Sequence, residues 1–340
     1  MKTHQTSKRA VVAALLACLA TALSSESPVT LVDKAGKPGA VPRFDPLFPR
    51  ALTWAGAREI ALSSVESAAW VPTREESRES PRLQSVLLNS DIVAVYGKPG
   101  ARNMGLLGQH KLEDLDGVVA GLASRYDAAN GNRGVIPALY IIYGTCWPGG
   151  DIGILSDATV RQYVEYAAAR GWYVFLDHQI GRFTVESAMS RLLPFLRYDN
   201  VHLALDPEWR TEKPMQEIGY VTAAELNAAQ EMMQAHILEN GLPGRRMLVV
   251  HQFKPKMISA RNEVRSDYPL VKLVHCADGF GSPPLKKNTY AHNALARNIP
   301  LKSFKLFLEP TIAGAGWDRP LMTPEEVLAL DPRPYLIMYQ

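Results

Sequence analysis

Two carboxylates end a short apolar stretch near the middle of the chain. The stretch Val201–Leu205 is typical of a buried strand, and Asp206 and Glu208 follow it directly, with Trp209 beside them. Pro207 cannot donate to a sheet ladder, so we expect the strand to end there and a loop to begin. In extended backbone the two acids would point the same way, which suits acid/base chemistry. A solvated strand end that happens to carry two acids is the alternative.

Apolar runs followed by polar side chains recur along the chain from Asp91 onward. Eight of these runs predict strands: 92–96, 135–143, 172–176, 201–205, 247–250, 271–274, 304–308 and 335–338. Seven amphipathic stretches between them predict helices: 112–129, 157–170, 185–196, 223–240, 259–267, 285–298 and 323–329. Strict alternation implies parallel strands with right-handed crossovers. The pattern predicts an α/β fold, a (β/α)8 TIM barrel without its eighth helix and with an N-terminal extension.

The beginning of the chain has the pattern of a secretory signal peptide. Lys2, Lys8 and Arg9 precede the apolar stretch Ala10–Leu23, which is shorter than the roughly 20 residues that span a bilayer. Cys18 lies in a sequence that resembles a lipoprotein cleavage box, so membrane attachment through a lipidated Cys18 stays open. We expect a protein that is secreted, periplasmic or held at the cell surface. The predicted divisions are a signal peptide (1–25), a linker and N-terminal extension (26–90) and a barrel catalytic domain (91–340).

Composition argues against several classes of function. The formal net charge is +3 over 340 residues, without a dense Lys/Arg stripe, so we expect no nucleic-acid partner. No glycine-rich phosphate loop follows the first predicted strand, which argues against a dinucleotide cofactor. Outside the leader only Cys146 and Cys276 remain; their spacing fits no zinc motif, and a disulfide between them stays open. We expect no cofactor and no metal, and the oligomeric state stays open.

In a (β/α)8 barrel the active site is built from residues that follow the strands. Every predicted strand end here offers a polar or aromatic group, and we predict Glu208 and Glu309 as the catalytic pair. A glycosidase needs two carboxyl groups, one protonated and one ionised, on either side of the scissile bond. Asp206 would raise the pKa of Glu208 through like-charge proximity. A structural ion pair for Glu309 and a cap of the following loop for Asp206 are the alternatives.

Further side chains at the strand ends would bind the substrate. Imidazole and amide groups orient sugar hydroxyls, and aromatic rings pack on the apolar faces of sugar rings. The predicted substrate-binding set is Tyr96, Tyr143, Asp177, Gln179, Trp209, His251, Gln252, Asp278 and Trp317. The alternative for each histidine is a ring satisfied by a backbone carbonyl, and the alternative for each aromatic residue is closure of the barrel mouth.

The glutamates after strands four and seven resemble the arrangement in retaining glycosidases of the large (β/α)8 clan. That resemblance implies that Glu208 is the acid/base and Glu309 the nucleophile. The Asn-Glu pair of that clan is replaced by Asp206-Pro207-Glu208, and an Asp-X-Glu that ends strand four resembles chitinase-like and bacteriophage-type lysozyme barrels. The runs LDHQIGRFTVE, HLALDPEW, VVHQF and DGFG are similar to uncharacterised secreted bacterial barrel proteins of actinobacterial type. This likeness covers about residues 90–285 and implies no particular activity.

Three functions fit these residues. The first is a secreted hydrolase that acts on a carbohydrate or cell-wall glycan. The second is a metal-dependent hydrolase, for example of phosphoesters, and the third is a non-catalytic barrel that binds a glycan or a peptide. The ligands of the second would be Asp177, Asp206, Glu208, His251 and Asp278. Two acids facing each other across a cleft would favour the glycosidase, and convergence of several acids on His251 would favour the metal.

Overall fold

A computed structural model describes residues 90–131, 133–311 and 315–340, which contain a closed barrel of eight parallel strands. The strands, numbered along the chain, are β1 Ser90–Gly97, β2 Gly134–Cys146, β3 Ile152–Ile154, β4 Tyr173–His178, β5 Val201–Leu205, β6 Val221–Thr222, β7 Arg246–Gln252, β8 Ile258–Ser259, β9 Val271–Ala277, β10 Leu301–Leu306 and β11 Leu336–Tyr339. The barrel order is β1-β2-β4-β5-β7-β9-β10-β11, and β11 pairs back onto β1. This confirms the predicted TIM barrel and all eight predicted strands.

Helices on the outside of the barrel connect most of these strands. Within the described ranges they are α1 Leu106–Gln109, α2 Leu115–Ala129, α3 Asp157–Ala168, α4 Val185–Leu192, α5 Ala223–Glu239, α6 Pro283–Ala294 and α7 Pro324–Leu328. Side chains fix several starts: Ser156 accepts the Thr159 N–H, and Thr222 forms a capping box with Glu225. Six of the seven predicted helices are confirmed.

The helix predicted at 259–267 is wrong. The connection from β7 to β9 instead contains β8 and a 3-10 turn over Arg261–Glu263, after Ala260 in the left-handed conformation. Side chains from neighbouring segments satisfy its backbone: the Asn298 amide donates to the carbonyls of Arg261 and Val264. Because these groups already have partners, the segment needs no helical ladder.

Every second residue of the barrel strands packs in the barrel interior. In β1 these residues are Ile92, Ala94 and Tyr96, and in β4 they are Tyr173 and Phe175, all buried in one cluster. The intervening strand residues pack against the helices in a larger outer core. Side chains alternate between the two faces of a strand, so each interior position is followed by another two residues later. This alternation determines which polar side chains meet inside the barrel.

Several sequence predictions concern the N-terminal region. The signal peptide, Cys18 and the extension up to residue 89 lie outside the described residues. In the ranges that the structure does describe, no helix is both long and apolar enough to cross a membrane. Cys146 and Cys276 are both buried and carry free thiols.

Candidate active site

Four predicted site residues from different strands meet at the carboxyl end of the barrel: Asp177 of β4, Asp206 after β5, His251 of β7 and Asp278 after β9. All four are at most 4% exposed. His251 Nδ1 lies 2.8 Å from Asp278 Oδ2, and His251 Nε2 lies 4.0 Å from Asp177 Oδ2. One side-chain N or O atom each of Asp206, His251 and Asp278 falls within 4.8 Å of the others. We call these four residues the carboxylate cluster.

Three further polar groups complete the carboxylate cluster. The Lys305 ammonium of β10 lies 3.2 Å from Asp278 Oδ2 and 3.8 Å from the centroid of the Tyr96 ring. The Tyr96 hydroxyl donates to Asp177 Oδ2 at 3.1 Å, and the Tyr140 hydroxyl lies 2.7 Å from His251 Nε2. Sequence reasoning placed Tyr96 here but missed Lys305 and Tyr140. The sequence offered one indication of both residues, because each lies in a predicted strand at a position that faces the barrel interior.

Glu208 lies next to the carboxylate cluster and is only half-buried. It belongs to a 3-10 turn, Pro207–Trp209, and the Asp206 side chain caps this turn by accepting the Glu208 N–H at 3.3 Å. The Gly219 N–H donates to the Glu208 carbonyl at 2.7 Å and holds the turn from the other side. The cap expected as an alternative for Asp206 therefore exists, together with its place in the cluster. Trp209, at the end of the turn, is also half-buried.

Burial raises the pKa of three acids at this site. Burial, followed by the negative charges of Asp206 and Asp278, raises the pKa of Glu208 to about 8. Burial raises the pKa of Asp206 to about 7, although His251 opposes the shift. Burial also raises the pKa of Asp177, whose Oδ1 has no hydrogen-bond partner among the described residues. Near neutral pH Glu208 is therefore mostly a neutral acid.

The pKa of Asp278 shifts in the opposite direction, below its usual value. Burial alone would raise the pKa of its carboxyl group, but the charges of Lys305 and His251 outweigh burial and hold it below the usual range. Burial disfavours the charge on Lys305, yet Asp278 and Asp206 outweigh burial and raise the pKa of Lys305. Burial would also lower the pKa of His251, but the hydrogen bond to Asp278 and the charges of Asp177 and Asp206 together outweigh burial and raise it. The cluster therefore contains an ionised carboxylate beside a cation, with a protonated acid nearby.

Glu309 and Trp317 lie elsewhere on the same end of the barrel. Glu309 is exposed, and both residues line a cavity of about 610 Å3 together with Phe280. None of the residues that line this cavity belongs to the carboxylate cluster. The predicted pairing of Glu208 with Glu309 thus has no direct contact to support it among the described residues.

Three predicted binding residues are occupied by structural contacts. Tyr143 packs edge-on against Phe195 in the outer core, because the alternation along β2 places it on the same outward face as Leu139 and Ile141. The Gln179 side-chain oxygen accepts the Cys146 N–H at 2.7 Å. The Gln252 amide has partners on both atoms; they are Arg261, His275 and the carbonyls of Lys254 and Pro255.

Asp206, His251 and Asp278 have the spacing of a metal site, but the atoms of His251 and Asp278 that would bind the metal already have other partners. His251 Nδ1 bonds to Asp278, and Nε2 bonds to Tyr140. The Lys305 ammonium supplies a positive charge directly to Asp278 Oδ2. A divalent cation would therefore have to displace the buried ammonium group from Asp278 and break one of the two hydrogen bonds of the His251 ring.

Comparison with known proteins yields solved structures only. No protein-family model matches the chain, and no curated protein matches it. An oxaloacetate acetylhydrolase in complex with oxalate is 14% identical, with a TM-score of 0.42, over 74% of this chain and 75% of that chain. A family 18 chitinase from Pseudoalteromonas aurantia is 10% identical, with a TM-score of 0.37, over 73% of this chain and 92% of that chain. A xyloglucan-specific β-1,4-glucanase of family 5 from a ruminal metagenomic library is 13% identical, with a TM-score of 0.38, over 76% of this chain and 86% of that chain.

None of these likenesses carries an activity to this chain, since even a shared fold hosts many unrelated chemistries. Function must be argued from the site itself, where a half-buried neutral carboxyl group lies beside buried carboxylates.

Proposed function

We propose that the protein is a secreted hydrolase that cleaves glycosidic bonds, with Glu208 as the general acid. The observation that carries this proposal is the state of Glu208, whose pKa of about 8 keeps it protonated while its side chain remains partly open to solvent. Glycosidases need such a carboxyl group, with a raised pKa, to protonate the leaving oxygen. Its position at the carboxyl end of β5 is where TIM barrels place catalytic groups.

The proposed reaction uses Glu208 and Asp206 together. Glu208 gives its proton to the glycosidic oxygen while the bond from that oxygen to the anomeric carbon breaks. Water adds to the anomeric carbon, and its proton passes to Asp206, whose pKa of about 7 leaves it partly ionised at neutral pH. Asp278, ionised beside Lys305, adds negative charge near the positive charge that develops on the sugar ring.

Asp206 is favoured over Glu309 as the partner of Glu208. Asp206 contacts the Glu208 backbone directly, and its charge is a cause of the raised Glu208 pKa. Glu309 is exposed on a separate cavity. The predicted signal peptide would direct the protein out of the cytoplasm, so its substrate would be a cell-wall or environmental glycan.

The direct test is release of reducing ends from a panel of polysaccharides by the secreted form of the protein. The panel contains β-glucan, xyloglucan, chitin, chitosan and peptidoglycan. We expect product from at least one of them, and none from the Glu208→Gln protein purified in the same way. Absence of product from the whole panel, or equal product from both proteins, would contradict the proposal.

A metal-dependent hydrolase is the second candidate, favoured by the spacing of Asp206, His251 and Asp278 within 4.8 Å. Because Lys305 already neutralises Asp278, we expect treatment with EDTA followed by dialysis to leave both hydrolysis and melting temperature unchanged. A bound metal would stabilise the folded state, so its removal would lower the melting temperature. Loss of activity that Mn²⁺ or Zn²⁺ restores would replace the glycosidase mechanism with this one.

A further inference from the structure

A cavity of about 610 Å3 opens in the loops that follow β9 and β10. Phe280, in the loop after β9, lines one part of it, and Glu309, Trp317 and Arg319, after β10, line another. Asp278 of the cluster is only two residues from Phe280. One short loop therefore connects the proposed catalytic centre to this cavity.

Buried polar contacts hold the two loops around the cavity together. Asp318 Oδ1 accepts the Gly281 N–H at 3.0 Å, and Asp318 Oδ2 accepts the Phe307 N–H at 2.9 Å. The Lys286 ammonium lies 3.2 Å from Asp318 Oδ2 and donates to the Gly279 carbonyl at 2.8 Å. Because Asp318 and Lys286 are almost completely buried, the contacts are shielded from solvent and fix the loops relative to each other. The cavity is thus largely pre-formed, as ligand sites usually are.

The aromatic surface of the cavity also has a specific support. A Cβ atom at Gly316 would lie 2.1 Å from the Phe280 ring, so glycine at this position lets the ring pack where it does, and a larger residue would displace it. Phe280 nevertheless remains 54% exposed, and its ring meets Phe307 edge-on. The Arg319 guanidinium lies 4.0 Å from the centroid of the Trp317 ring. The cavity therefore presents two aromatic rings.

The cavity is lined by charged groups of both signs. Glu309 contributes one carboxylate and Arg319 one guanidinium, so their formal charges cancel. A carboxylate accepts hydrogen bonds and a guanidinium donates them, and a sugar hydroxyl can do both. A ligand with apolar faces, many hydroxyls and no net charge matches this combination of aromatic and balanced polar groups.

We propose that this cavity is a subsite that binds a neutral hexose unit of the glycan, away from the bond cleaved at Glu208. The inference rests on the proposed function and gives it a substrate class. It assigns Glu309, Trp317 and Phe280 to substrate binding, with Glu309 as a hydrogen-bond acceptor rather than the nucleophile. Uronic-acid units would place a second negative charge beside Glu309 and are disfavoured.

The test measures binding without turnover. The Glu208→Gln protein is titrated by calorimetry with neutral oligosaccharides, namely cellohexaose, a xyloglucan oligosaccharide and fully N-acetylated chitohexaose. Adding Trp317→Ala is expected to weaken the tightest of these interactions about tenfold, which corresponds to about 1.4 kcal/mol. Adding Glu309→Gln, which keeps size and removes charge, is expected to weaken the same interaction by a smaller factor.

The matched control is Tyr198→Ala. Tyr198 is a half-buried aromatic residue that also lies beside a guanidinium, that of Arg197 at 4.9 Å, but it precedes β5 at the opposite end of the barrel. We expect the control to bind like its parent. The subsite proposal would be overturned if adding Trp317→Ala left binding equal to that of the Glu208→Gln parent, or if the parent bound no neutral oligosaccharide at all. Hydrolysis by the wild-type protein together with either result would leave the proposed function standing, so the two failures are distinguishable.

Discussion

Replacing Glu208 with glutamine is expected to lower the rate of glycan cleavage by about 100- to 10,000-fold, the usual contribution of a general acid. This loss corresponds to about 2.7–5.5 kcal/mol of transition-state stabilisation. Glutamine keeps the size of the side chain but has no proton to give to the leaving oxygen. Because Glu208 is mostly neutral near pH 7, the substitution hardly changes the charge of the site, and we expect an unchanged melting temperature.

Glu212→Gln is the matched control, because Glu212 is an exposed glutamate in the same loop. Its rate should equal that of the wild-type protein. The pH profile provides a second check on the assignment. Since burial and Asp206 raise the pKa of Glu208 to about 8, the acid keeps its proton up to that pH, and the rate should fall as pH rises through about 8. A rate that keeps increasing above this pH, or full activity of Glu208→Gln, would contradict the role of Glu208.

The barrel could be predicted because its strands are nearly continuous apolar runs. Parallel strands are covered on both faces, so each run stands out from the polar segments around it. The helix expected at 259–267 failed for a tertiary reason, since its backbone is satisfied by Asn298 and other distant side chains that a local pattern does not reveal. Tertiary contacts commonly override local propensity in this way.

The site could be predicted in part. The positions just after predicted strands contained Asp177, Asp206, His251 and Asp278, and the barrel brings them together. Lys305 was missed because it lies within a strand and not after it. Phe304 and Leu306 on either side of Lys305 pack against helices, so the alternation along β10 turns Lys305 toward the interior.

The position of Glu309 shows how strand boundaries affect such predictions. The sequence predicts a strand over 304–308, with Glu309 at its tip, but β10 runs over Leu301–Leu306. The strand begins earlier because Lys302 and Ser303, which look like loop residues, are both buried, Lys302 on the side of the strand that faces α6. Lys302 is satisfied there by the carbonyls of Asn293 and Ala296. Glu309 consequently lies further along the loop, away from the carboxylate cluster.

Replacing Lys305 with methionine is expected to destabilise the protein by about 3–5 kcal/mol, the usual cost of removing one partner from a buried ion pair. Methionine has a similar length but no charge, so the Asp278 carboxylate would lose its ammonium partner at 3.2 Å. Asp278 has a lowered pKa in the folded protein, so its contribution to stability is present above the pKa of an unfolded aspartate and is lost as pH falls. The effect should therefore be measured at pH 7, by urea unfolding.

Two further variants show whether the charge pair causes this loss. Lys287→Met removes an exposed lysine that lies 4.0 Å from Glu326, and its effect should stay below about 1 kcal/mol, as for other surface pairs. Adding Asp278→Asn to Lys305→Met removes the unpaired charge, so the double variant should recover part of the lost stability. A Lys305→Met protein as stable as the Lys287→Met protein would show that the ammonium does not hold the carboxylate cluster together. In that case the buried acids would need another counter-charge, and a metal ion bound to Asp206, His251 and Asp278 would be the group to supply it.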